Sequence, residues 1–191
     1  MMACTTEVDT AQLYEKEQEK NNEPKPSMNN YNLPIEDLRK AYVREFDGVQ
    51  YRRDVFEKYT SFLESLSGFG LEEQYKEQVA TILPKAREDL QEYQKWASTL
   101  DKSRYQNGHS HMQIMYGSNQ RSQTLHEAVR LGQEIIEKQA FNKHAIPYAA
   151  KEIKRLGITP TLTHLQPNEI LKQAKKLEVI TDQEFAQYAS P

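Results

Sequence analysis

Residues Leu33–Gly70 read LPIEDLRKAYVREFDGVQYRRDVFEKYTSFLESLSGFG, and their periodicity decides the fold class. Ile35, Leu38, Tyr42, Phe46 and Val49 recur at steps of three and four, which places them on one face of a helix. Pro34 stands where a first helical turn tolerates proline. Beyond Asp47-Gly48 the stripe resumes with Val55, Phe56, Tyr59, Phe62, Leu63 and Leu66, so the pattern fits one long helix weakened at Gly48 or two helices meeting there. The run Ser67–Gly70, SGFG, ends it.

The same period continues downstream. Leu71, Tyr75, Val79 and Ile82 mark a further helix that should stop at Pro84, because the proline ring disfavours a helical conformation at Leu83. A new helix is then expected, with Ala86, Leu90, Tyr93, Ala97 and Leu100 as its stripe and Trp96 beside them as a core or interface anchor. Ser122 is placed to cap a helix carrying Leu125, Ala128, Val129, Leu131, Ile135 and Ile136. Phe141 to Leu156 supplies one more, closed by Lys154 and Arg155 at its negative end, Gly157 in the left-handed position and Ile158 folding back.

Two short helical patterns occupy the tail, the second opened by Thr181 and Glu184 in a capping-box arrangement. Residues 170–188, ILKQAKKLEVITDQEFAQY, resemble the short helical hairpin appended to the C-terminus of many bacterial proteins, with Ala174-Lys175-Lys176 and Val179, in place of the usual glycine, departing from its pattern. The resemblance implies a hairpin of two helices. Residues 1–32 differ from all of this. They are rich in Glu, Lys, Asn and Gln, with Pro24 and Pro26, a composition that buries too little apolar surface to offset its ordering entropy. The expected architecture is therefore all-α: a disordered, flexible acidic arm over 1–32, a single bundle of about five to seven helices over 33–157, and a C-terminal helical hairpin over 158–191.

Composition bounds the function. With 191 residues, 37% hydrophobic and 28% charged, the chain has material for one real core and no second domain. Its mean hydropathy is −0.86, and no apolar run approaches the length of a membrane span. The opening MMACTTEVDT lacks the basic and apolar regions of a secretory signal, and Cys4 is the sole cysteine, so a reducing, cytoplasmic location is expected. Charge is unevenly distributed. Residues 1–101 carry 13 basic and 20 acidic side chains, a net of −7, whereas 102–191 carry 12 basic and 8 acidic, a net of +4. That split favours a partner with an acidic surface for the C-terminal half.

Motifs of catalysis are scarce. Neither G-x-x-x-x-G-K-[ST] nor G-x-G-x-x-G occurs, no serine sits in G-x-S-x-G, and the E-x-x-H pairs of di-iron bundles are missing. His109 and His111, with His126 further on, form the nearest approach to a metal set, but a fourth ligand would have to come from His144, His164 or a carboxylate. No metal or cofactor is expected.

One stretch stands apart: Tyr105–Gln120, YQNGHSHMQIMYGSNQ, reads as a long connector, or as a hairpin in which Asn107-Gly108 turns into a strand at Met112, Ile114 and Tyr116. Met112, Ile114, Met115 and Tyr116 are poor choices for a solvated linker, so they should plug the end of the bundle or meet a partner. Tyr, Trp and Met favour interface centres. The expected contact set is thus Tyr105, His109, His111, Met112, Met115 and Tyr116 together with the basic Lys151, Lys154 and Arg155. These residues describe a non-enzymatic adaptor, accessory or effector-type protein that binds another protein. The alternatives are a nucleic-acid-associated factor using Lys143, Lys151, Lys154, Arg155, Lys172, Lys175 and Lys176, and an enzyme built on the histidine-containing loop.

Overall fold

The computed structural model describes residues 35–103 and 110–190. The expected arm over 1–32 lies outside the described residues. Those described form an all-α bundle of seven α-helices: α1 Ile35–Leu66, α2 Glu73–Ser98, α3 Ser110–Arg121, α4 Gln123–Glu137, α5 Ile146–Arg155, α6 Pro167–Lys176 and α7 Asp182–Ala189. Short 3₁₀ turns at Lys143–Ala145 and Thr163–Leu165 precede α5 and α6.

The stripe that opens the sequence is one helix of 32 residues, about 48 Å long at roughly 1.5 Å per residue. Gly48 does not interrupt it, because Tyr42, Val49, Phe56 and Leu63 are buried at seven-residue steps and only an unbroken helix holds them in line. Glycine costs about 1 kcal/mol in a helix, whereas each large apolar side chain taken from water contributes about 1.5–3 kcal/mol. Burial wins. α1 packs on α2, α3, α4 and α5, with α2 also against α4, so it is the spine of the bundle.

The break expected at Pro84 is absent: α2 runs 26 residues through it. Tyr75, Val79, Leu83, Ala86, Tyr93 and Ala97 are all buried, so the seam passes the proline without losing phase. Pro84 and Ala80 both face solvent, which leaves the carbonyl that Pro84 cannot serve within reach of water.

A second correction concerns 110–120, which is neither connector nor strand but helix α3. Its inward positions, Ile114, Gly117, Ser118 and Arg121, follow helical spacing, yet only the first is strongly apolar, so a search for hydrophobic period passes over them. Ser122 stands at the head of α4 as expected, but its hydroxyl makes no capping bond; its carbonyl instead accepts from the His126 backbone N–H at 2.9 Å. The helix expected from Phe141 begins only at Ile146. Phe141 pairs with Leu71 in an antiparallel bridge, and Asn142 donates from its backbone N–H to Gly70 O and from Nδ2 to Phe69 O, which keeps this segment extended against the α1–α2 turn.

Three helices end in the same way. At α5 the Ile158 N–H donates to Ile153 O and Gly157 N–H to Lys154 O, with Gly157 at φ +63°, as the sequence indicated. The ends of α4 and α6 repeat this pattern with Gln139 at φ 46° and Glu178 at φ 56° in the left-handed seat. In the tail hairpin, therefore, the residue that needs glycine-like freedom is Glu178, one position before Val179. Thr181 and Glu184 then form the expected capping box: Glu184 N–H donates to Thr181 Oγ1 at 3.2 Å, and Thr181 N–H donates to the Glu184 carboxylate at 2.8 Å. α6 packs on α5 and α7 on α6, and the apolar cluster continues from α1 as far as Ile180.

A left-handed conformation costs a non-glycine residue about 1–2 kcal/mol. Glu178→Gly should therefore raise unfolding free energy by about 1 kcal/mol, while Gly157→Ala should lower it by a similar amount. Urea unfolding of the two variants checks both signs.

Candidate functional site

α3 is held by its inner face. Gly117 lies so close to the Trp96 ring that a Cβ there would stand 2.9 Å from Cζ2, and the Arg121 guanidinium sits 5.4 Å from the centre of the same ring while donating to Gly117 O at 3.1 Å. Next to it, the fully buried Ser118 hydroxyl is 2.9 Å from the equally buried Tyr93 hydroxyl and accepts from Arg52 Nε at 3.2 Å. Tyr93 is in turn fixed edge-on between Phe56 and Trp96, with ring centroids at 5.2 and 5.4 Å. Two long helices, α1 and α2, thus converge on one short helix, and a polar bond in an apolar setting fixes its rotation.

The cluster Met112, Ile114, Met115 and Tyr116 divides across that helix. Ile114 is 5% exposed and belongs to the core. Met115 is half-buried. Met112 and Tyr116, one helical turn apart, stand outward at 46% and 70% exposure, flanked by exposed Gln113, Asn119 and Gln120. Tyr105 and His109 lie outside the described residues, and His111 falls in the first turn of α3. His126 is on α4, its ring 5.0 Å from Phe56 and its Nδ1 2.8 Å from Ser122 O, a contact in which the ring nitrogen is the donor. Among the described residues no group of three or more His, Cys, Asp or Glu side chains gathers at a metal-sized site.

The basic residues sit on α5, which packs on α1 and α6, whereas α3 packs on α1, α2 and α4. Two of the three have intramolecular work. Lys154 Nζ donates to Ser190 O at 3.0 Å. Arg155 grips Glu152 with Nε at 3.0 Å and Nη2 at 2.7 Å, and Glu152 is only 5% exposed. Lys151 is exposed on the same helix. The bond from Arg155 holds the Glu152 carboxyl below its ordinary range against the opposing effect of burial, and the pair raises the Arg155 guanidinium in return. Neither interaction was legible in the sequence, since i,i+3 pairs of Glu and Arg are common on solvated faces and nothing local marks this carboxylate as buried.

Compared with known proteins, the chain matches no family model, no curated protein and no solved structure at a significant level. Among the described residues no helix is long and apolar enough to cross a membrane.

Glu152 has a lowered folded-state pKa, so its contribution to stability is complete above the ordinary carboxylate range and is lost as pH falls through the folded value. Arg155→Ala should lower stability at neutral pH by removing the main donor to a buried carboxylate. The deficit should shrink in acid, once Glu152 is protonated in both proteins. Denaturant unfolding at neutral and acidic pH would show it; a deficit that stays constant down to the acid limit would assign the loss to packing instead.

Proposed function

We propose that the protein is a non-enzymatic interaction protein that binds another protein through the outer face of α3, with Met112 and Tyr116 as its apolar anchors. The observation that carries this reading is their exposure on a helix whose inner face is locked to Trp96, Tyr93 and Arg52. A rigid helix offering a methionine and a tyrosine one turn apart loses little conformational entropy on binding, and both side chains are of the kinds that concentrate at interface centres. The amides of Gln113, Asn119 and Gln120 supply a polar rim. On α5, Lys151, Lys154 and Arg155 are all exposed, but Arg155 is engaged with Glu152 and Lys154 with Ser190, and this favours the α3 face over a nucleic-acid-binding basic face.

Met112→Ser with Tyr116→Ser should leave thermal unfolding unchanged and abolish partner capture from native lysate, or weaken affinity for the purified partner at least about tenfold, which is about 1.4 kcal/mol. Ile114→Ser should do the reverse at first hand, costing about 2–4 kcal/mol of stability through lost burial. An unaltered set of captured proteins with the double variant would refute the assignment of this face. Capture that vanishes on nuclease treatment would move the protein to the nucleic-acid class.

A further inference from the structure

A cleft of about 370 Å³ opens between the last turn of α4 and the segment that leads from α5 to α6. Its walls come from Tyr59 on α1, from Gln133, Ile136 and Glu137 on α4, and from residues 159–162 with Leu165. Gly132 shapes it. A Cβ at that position would lie 2.6 Å from Tyr59 Cδ1, so only glycine lets the phenol ring lie against the α4 backbone and reach the Gln133 side chain with its hydroxyl. On the far side, Gln166 Nε2 donates to Pro160 O at 2.8 Å and holds the 159–165 segment in place.

Two independent features describe what the cleft would take. The first is apolar surface. Tyr59, Ile136, Pro160 and Leu165 are buried around it, and Leu162 stands at its rim 44% exposed, a large aliphatic side chain left in water beside a concavity. The second is charge. Glu137 is the one carboxylate of the lining, and it is the last residue of α4, where the negative end of the helix adds to its own charge. The neighbouring cations face other partners: Lys138 Nζ is 2.7 Å from Glu134, and Lys58 Nζ is 2.8 Å from Asp54. Among the described residues Glu137 forms no ion pair.

We infer that this cleft is a binding site for a small amphipathic amine, its apolar body lying on Tyr59, Ile136 and Leu165 beneath Leu162 and its ammonium beside Glu137. The volume falls within the range of small-molecule sites, roughly 300–1,000 Å³, and the pattern of an apolar lining with a few polar groups that fix orientation is theirs also. Thr159, Thr161 and Gln133 supply the remaining hydrogen-bonding groups. Burial keeps the Tyr59 phenol above its ordinary range, so its hydroxyl stays protonated across the neutral range. This site is separate from the α3 face, and neither reading depends on the other.

Titrating the full chain with phenethylamine, phenethyl alcohol and hydrocinnamate under amide-resolved NMR tests the inference. The amine should give saturable shifts confined to 133–137 and 158–166, the neutral alcohol should bind about tenfold more weakly, and the anionic hydrocinnamate should give no saturable shift. Glu137→Gln, on an exposed side chain, should reduce the amine to the affinity of the alcohol while the spectrum elsewhere is unchanged. Leu162→Ser should weaken amine and alcohol alike. Absence of saturable shifts with the amine, equal affinity for amine and alcohol, or full amine affinity in Glu137→Gln would each overturn the proposal.

Discussion

Everything in the bundle is referred to the seam of α1. Tyr42, Val49, Phe56 and Leu63, set seven residues apart, line a helix that four others touch, and each is buried. A helix of this length would not persist in water on propensity alone, since most helical stability in proteins comes from packing an apolar face. The dependence is mutual: α2, α4 and α5 bury their stripes against α1, and α1 stays continuous through Gly48 because they do. The same reasoning accounts for Pro84. A proline that would end an isolated helix is carried when the residues on either side of it, Leu83 and Ala86, occupy consecutive places in one buried seam.

Around this apolar frame, polar contacts decide orientation. Burial is non-directional and would accept α3 in several rotations. The bonds among Arg52, Tyr93 and Ser118, with the close approach of Gly117 to Trp96, select one, and that choice sends Met112 and Tyr116 to solvent while Ile114 turns inward. Gly132 has an equivalent part at Tyr59, where removal of a side chain creates both a close helix contact and the wall of a cleft. The surface features of interest are consequences of how small and polar residues are buried, more than of where the apolar ones lie.

Chain direction is managed by local devices at the helix ends. Three Schellman-type endings turn the chain after α4, α5 and α6, and two of them hold Gln139 and Glu178 in a conformation that favours glycine. The return from α4 to α5 is fastened to the α1–α2 turn through Leu71, Phe141 and Asn142. These connections bring α5 back to α1 and lay α6 on α5, and between them the cleft beside Glu137 is formed.

Read alone, the sequence determined what depends on neighbours a few residues away: the apolar period of α1 and α4, the Gly157 ending, the Thr181–Glu184 capping box and the all-α class. These signals are local, because helical periodicity and end-capping involve residues three to five positions apart. Only the tertiary structure decided that α1 passes through Gly48 and α2 through Pro84, that 110–121 is helix, and which of Met112, Ile114, Met115 and Tyr116 face water. It also placed Arg155 on a buried carboxylate and gathered the cleft from three separate segments. Each of these outcomes turns on partners distant in sequence, Ser118 with Tyr93 and Arg52, Gly117 with Trp96, Gly132 with Tyr59, and small or polar residues at such contacts carry no periodic mark of their own.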